Sequence, residues 1–85
     1  MSHKPHDLAS EFSQDHDVLH SLKMGNVRYA AVAAKYDEIN REIFKIEAAL
    51  EPASDQRAEG LKKQRLTLLD EIGAMIAAEK RAATA

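Results

Sequence analysis

Apolar side chains recur between residues 29 and 50 in an unbroken rhythm. Tyr29, Val32, Tyr36, Ile39, Ile43, Ile46 and Leu50 follow one another in steps of 3, 4, 3, 4, 3 and 4. Such spacing keeps one narrow stripe of a helix facing a partner helix. A strand would need alternation at period two, which the segment lacks. The pattern predicts a helix over about residues 26–50. Glu51-Pro52-Ala53-Ser54 then interrupts it. Pro52 disfavours helix at Glu51 and donates no backbone hydrogen bond. Ser54 is suited to cap a following helix, and Asp55 suits its positive end. That second helix is predicted over about 55–81, leaving 82–85 as a frayed tail.

The second helix carries a seam of Ala58, Leu61, Arg65, Leu68, Ile72 and Met75. A second stripe of Leu66, Leu69, Gly73 and Ile76 runs beside it. A turn at 51–54 is short enough to lay the two helices antiparallel. The expected hairpin core is therefore Tyr29, Val32, Tyr36, Ile39, Ile43, Ile46 and Leu50 against Leu61, Leu68, Ile72 and Met75. Upstream, Leu8, Phe12, Leu19 and Leu22 stand at helix-compatible spacings, so residues 1–25 are read as a further helical segment. Met24-Gly25-Asn26 interrupts the pattern. Gly25 could close one helix in the left-handed conformation and Asn26 could cap the next; the alternative is one continuous helix. Ser13 is expected to cap the helix that contains Val18, Leu19 and Leu22.

A charge on the seam is the sharpest polar signal. Arg65 must be paired or must reach water with its tip. Folding the hairpin about its turn places it near Ile43, with Glu42 and Glu47 in reach. The expectation is an ion pair of Arg65 with Glu42 and Glu47 that fixes helix register and adds little net stability. An exposed anion-binding arginine is the competing reading.

Composition narrows the function classes. Eighty-five residues make one domain. The absence of cysteine excludes disulfides and thiolate metal sites. Twelve basic residues against fourteen acidic ones give a charge of −2, which supplies no general attraction to nucleic acid or anionic lipid. The charge is uneven, with one basic and four acidic residues over 1–21. No apolar run approaches the ~20 residues that cross a bilayer, and the first residues are polar rather than a signal core. A soluble cytoplasmic protein with no membrane contact is expected.

Candidate chemistry is sparse. His16 and His20 are spaced four apart, near Asp15 and Asp17, and His3 and His6 could add imidazoles if the leader folded over. No third ligand is fixed by spacing, so no metal site is assigned. Lys62, Lys63, Arg65 and Arg57 form a short basic cluster that could touch phosphate. No aromatic residues alternate with these cations, as base stacking would require. Ser10, Ser13, Ser21 and Ser54 have no fixed acid–base partner, and no glycine-rich phosphate loop is present. No catalytic residue and no cofactor are expected.

Several of these segments resemble a known family. They are His6-x-Leu8-x-x-Glu11-Phe12, Leu22-Lys23, Tyr36-Asp37-x-Ile39, Ile43, Ile46-Glu47 and Glu51-Pro52-Ala53-Ser54-Asp55. Leu61-Lys62-Lys63-Gln64-Arg65-Leu66-x-Leu68-x-Asp70-Glu71-Ile72 is the most specific. Together, over residues 6–76, they resemble the YdcH-like family of small bacterial coiled-coil proteins, a domain of unknown function. Ser13 stands where that family often has proline, and Leu69 where it often has lysine. The resemblance implies a helical hairpin and self-association, and supplies no activity.

A lone hairpin buries one stripe per helix, which is marginal for a chain of this size. Phe44, Leu66, Leu69 and Ile76 remain to be covered. The favoured expectation is a homodimer resembling a four-helix bundle, with those four residues at its interface. The runner-up is an N-terminal segment that folds back through Leu8, Phe12 and Leu19. The functional expectation is a non-enzymatic, self-associating helical protein open to an unknown protein partner. Nucleic-acid association through the basic cluster and histidine-based metal binding are the alternatives.

Overall fold

The computed structural model of the chain describes residues 7–50 and 52–84. His3, His6, Glu51 and Ala85, which figured in the expectations above, lie outside the described residues. Four helices follow in order: α1 (Leu8–Glu11), α2 (His16–Gly25), α3 (Val27–Glu47) and α4 (Asp55–Thr84). Among the described residues there is no strand. The two long helices pack against each other as an antiparallel hairpin, so that Arg28 faces Glu71 at one end and Glu42 faces Arg57 near the other.

Local chemistry sets the boundaries. Asn26 is extended (φ −127°, ψ 105°), and its side-chain oxygen accepts the Tyr29 N–H at 2.9 Å, capping α3. Gly25 is simply the last residue of α2; no glycine among the described residues has positive φ, so the left-handed closure expected there does not occur. The α2 N-cap is Asp15, not Ser13, and its carboxylate makes no cap bond. It instead reaches Lys80 Nζ on α4 at 2.6 Å. At the start of α4, Ser54 Oγ accepts the Arg57 N–H at 3.1 Å.

The first long helix stops three residues earlier than its rhythm predicts. Leu50 N–H donates to the Lys45 carbonyl at 2.8 Å and Ala49 N–H to the Ile46 carbonyl at 3.1 Å. Ala49 takes the left-handed conformation at φ 59°. This pair of bonds around a left-handed residue is the Schellman closure of a helix. It swings Leu50 off the seam, leaving it 69 % exposed, so Leu50 is not part of the core. At the other end α4 continues to Thr84, so residues 82–84 are helical rather than a frayed tail.

The core falls into two clusters. The larger holds Leu19, Leu22, Tyr29, Tyr36, Ile72 and Ile76, with Leu8, Phe12, Val18, Val32, Ala33, Leu68, Leu69 and Met75 packed against it. The smaller holds Ile39, Ile43 and Leu61, with Ile46 and Leu68 beside them. The fold-back of the N-terminal segment explains the difference. Helix α2 covers the Tyr29–Ile76 end of the hairpin, and the Phe12 ring lies 4.0 Å from where a Cβ on Gly73 would stand. Near the turn the hairpin is a two-helix stem.

Candidate interaction surface

Each long helix has two flanks beside its seam. On one flank Arg28, Lys35 and Glu42 recur every seven residues, and Glu71, Gln64 and Arg57 answer them. Arg57 Nη2 meets Glu42 Oε1 at 3.1 Å, while Arg28 and Glu71 approach only to 3.9 Å. Both pairs are solvent-exposed, so each contributes at most ~1 kcal/mol. Between them lies a shallow groove of about 270 Å³ with Ile39 and Leu68 as its floor and Lys35 and Lys63 at its rim.

The other flank carries Asn40, Phe44 and Glu47 on α3, and Lys62, Arg65, Leu66 and Leu69 on α4. Here the expected register pair is absent. Arg65 Nη1 donates to Asn40 Oδ1 at 3.1 Å. Glu42 is taken by Arg57, and Glu47 sits 3.7 Å from Lys62. The physical reason is burial. Asn40 is the buried polar side chain among the core residues, and a buried amide left without a partner costs ~1–3 kcal/mol. A guanidinium satisfies it, and the two glutamates remain near water with more exposed cations. Asn40 gives little sign of itself in the sequence because it sits beside the seam. Its spacing, four after Tyr36 and three before Ile43, was the available signal.

Tyr36 stands just above this contact with no exposed surface. Burial pushes its phenol up to about 12; Glu11 and the more weakly acting Asp37 and Asp7 push the same way, and Arg65 opposes them. Tyr29 is also raised, by burial and then by Asp37. A neutral, buried phenol suits packing, not proton transfer at ordinary pH.

The four residues expected at an oligomer interface separate. Ile76 is buried in the chain's own core and Leu69 packs against it, because α1 and α2 roof that part of the stripe. Phe44 (40 %) and Leu66 (61 %) stay exposed, since the roof ends above them. The basic cluster is drawn into the hairpin: Arg57, Lys62 and Arg65 hold Glu42, Glu47 and Asn40. His16 Nε2 lies 3.1 Å from the Ala9 carbonyl oxygen. Among the described residues no group of three or more His, Cys, Asp or Glu is gathered to hold a metal ion. No described helix is long and apolar enough to cross a membrane.

Among curated proteins and among solved structures, none matches this chain. A family model does match, over residues 30–76, which is more than half the chain. The matched stretch is the hairpin from just past Tyr29 to Ile76; the Leu8–Phe12 motif lies before it. The chain belongs to that family, described as a protein of unknown function (DUF465), to which the YdcH-like small bacterial proteins also belong.

Proposed function

We propose that this chain is a non-enzymatic helical interaction protein of the cytoplasm, and that its first partner is a second copy of itself. The carrying observation is a stripe covered along only part of its length. Leu69, Gly73 and Ile76 lie on the part of the stripe that the chain's own N-terminal segment covers, whereas Leu66 of the same stripe stays mostly exposed and Phe44 across from it partly so. A second stem would cover them in the manner of a four-helix bundle. Glu47 and Lys62, 3.7 Å apart, stand beside the patch in each copy, so a second copy brings charges of both signs to its rim. The polar side chains of this region are engaged in holding helix to helix, which suits a scaffold better than a catalyst.

Sedimentation of the untagged protein over a range of concentrations tests this. A concentration-dependent dimer is expected, and Phe44→Glu with Leu66→Glu is expected to weaken it at least about thirtyfold, the effect of losing one interface hot spot. Both side chains are exposed in the single chain, so helix content is expected to survive. A wild-type chain that stays monomeric throughout, or a double variant that dimerises as well as the parent, would overturn the reading. Leu69→Glu is a poor probe, because Leu69 packs within the chain's own core.

A further inference from the structure

The opposite end of the molecule carries a second exposed apolar pair, Met24 and Val27. Helices α2 and α3 are separated by one non-helical residue, Asn26. The helical ladder is intact on both sides of it: Asn26 N–H donates to the Leu22 carbonyl at 2.9 Å, and Ala30 N–H to the Asn26 carbonyl at 3.1 Å. Only the N–H groups of residues 27–29 fall out of register, and Asn26 Oδ1 satisfies the last of them. Straightening this single residue would give one helix over 16–47 and restore the missing bonds.

The bend also leaves an unusual pair of side chains in water. Met24 (74 %) and Val27 (87 %) are the most exposed large apolar residues among those described, and they sit on either side of Asn26. In the bent chain they lie on different helices. In a straight helix His20, Met24, Val27, Ala31 and Ala34 fall in steps of 4, 3, 4 and 3, a heptad seam whose members are all exposed at present.

We propose that α1 and α2 exchange between two copies of this chain by straightening at Asn26. Each copy's Leu19 and Leu22 enter the other's Tyr29–Ile72–Ile76 cluster, and the Asp15–Lys80 pair re-forms between chains. The core contacts of α2 re-form between chains, and the Asn26 cap on Tyr29 N–H gives way to helical backbone bonds. The gain is the new seam, where two straightened helices cross through Met24 and Val27. Exchange of an identical element through a short hinge is a low-cost route to a dimer. The proposal rests on the reading that the chain self-associates, but it uses residues remote from Phe44 and Leu66, so the two surfaces can be removed separately.

Two hinge variants push the equilibrium in opposite directions. Val27→Pro suits the bent form, because Val27 is the first residue of α3 and Asn26 before it is already extended. Within a straight helix the same proline is expected to lower the association constant at least about a hundredfold, the cost of one interior proline. Gly25→Ala with Asn26→Ala removes the cap and favours continuous helix, raising it at least about tenfold. Gly25 has open space around it and no positive φ, so alanine fits both forms. The chain has no cysteine of its own, so Asp15→Cys with Lys80→Cys reports connectivity through a bis-maleimide cross-linker. Exchange predicts covalently linked dimers from the dimer fraction, and internally bridged monomers when Val27→Pro is added. Dimers that cross-link only within each chain, or that ignore Val27→Pro while yielding to Phe44→Glu with Leu66→Glu, would overturn exchange and leave self-association standing. If neither the wild type nor the alanine hinge variant dimerises, both fail.

Discussion

The two ends of the hairpin are built from the same heptad rhythm and end up with different surroundings. At the Tyr29–Ile76 end the seam lies under α1 and α2, and Tyr36 and Ile72 have no exposed surface at all. At the turn end Ile39, Ile43 and Leu61 make a core two helices thick, bordered by an amide–guanidinium contact and by exposed Phe44 and Leu66. Periodicity specifies which stripe faces inward. It does not specify how many layers lie above the stripe, and the number of layers decides how much a buried side chain contributes.

The largest expected effect comes from paired truncations. Ile72→Ala and Ile43→Ala remove the same atoms from residues that are both almost fully buried. Under the roof, neighbours on three sides hold the cavity open, and a loss of about 4 kcal/mol is expected. In the stem the two helices can close on the gap, and about 2–3 kcal/mol is expected. Denaturant unfolding at one fixed protein concentration measures both, since any dimer shifts apparent stability. Equal losses would mean that the roof adds no rigidity, and the contrast between the ends would lose its energetic content.

Most of the hairpin is legible in the sequence. Its seam from Tyr29 to Ile46, the turn at Pro52 and the Ser54 cap all follow from side-chain spacing and local backbone chemistry. Three features were not legible, each for a physical reason. Leu50 continues the rhythm by type, but the end of α3 is decided by backbone closure at Ala49, where alanine gives no sign of a left-handed residue. Spacing points Arg65 at glutamates because charge complementarity is visible in a sequence, whereas the burial of Asn40 is not. Pattern alone sends Leu69 and Ile76 to a dimer interface, because fold-back and dimerisation cover the same stripe. Which one occurs depends on whether Leu8, Phe12 and Leu19 can reach it, a question of path rather than pattern.

Alkaline pH gives a second, smaller way to separate the ends, because both raised tyrosines lie at the roofed one. Tyr36 ionises near 10 when unfolded and is held up to about 12 when folded. A raised value means the folded chain prefers the neutral phenol. Its stabilisation is therefore complete below pH 10 and is lost as pH climbs towards 12. Melting temperature followed by circular dichroism is expected to fall across that window. Tyr36→Phe is expected to start slightly lower, from the lost hydroxyl, and then fall less steeply. A variant that falls as steeply as the parent would show that the alkaline loss arises elsewhere.

The smallest effect belongs to the turn end. Ala49 holds φ 59°, a conformation that costs an L-residue with a Cβ about 1–2 kcal/mol and glycine almost nothing. Glycine also gives the unfolded chain more freedom, which returns about 0.4–1 kcal/mol of that advantage. Ala49→Gly is thus expected to stabilise the protein by about 0.5–1 kcal/mol. The gain enters at the stem, so where it is felt tests how tightly the two ends are coupled. If stem and roofed end unfold as one unit, amide exchange slows equally at Ile43 and at Ile72. If the stem opens first, protection rises around Ile43 and stays unchanged around Ile72. The thin core predicts the second pattern, and uniform slowing would show that two layers near the turn and three at the far end melt as a single cooperative structure.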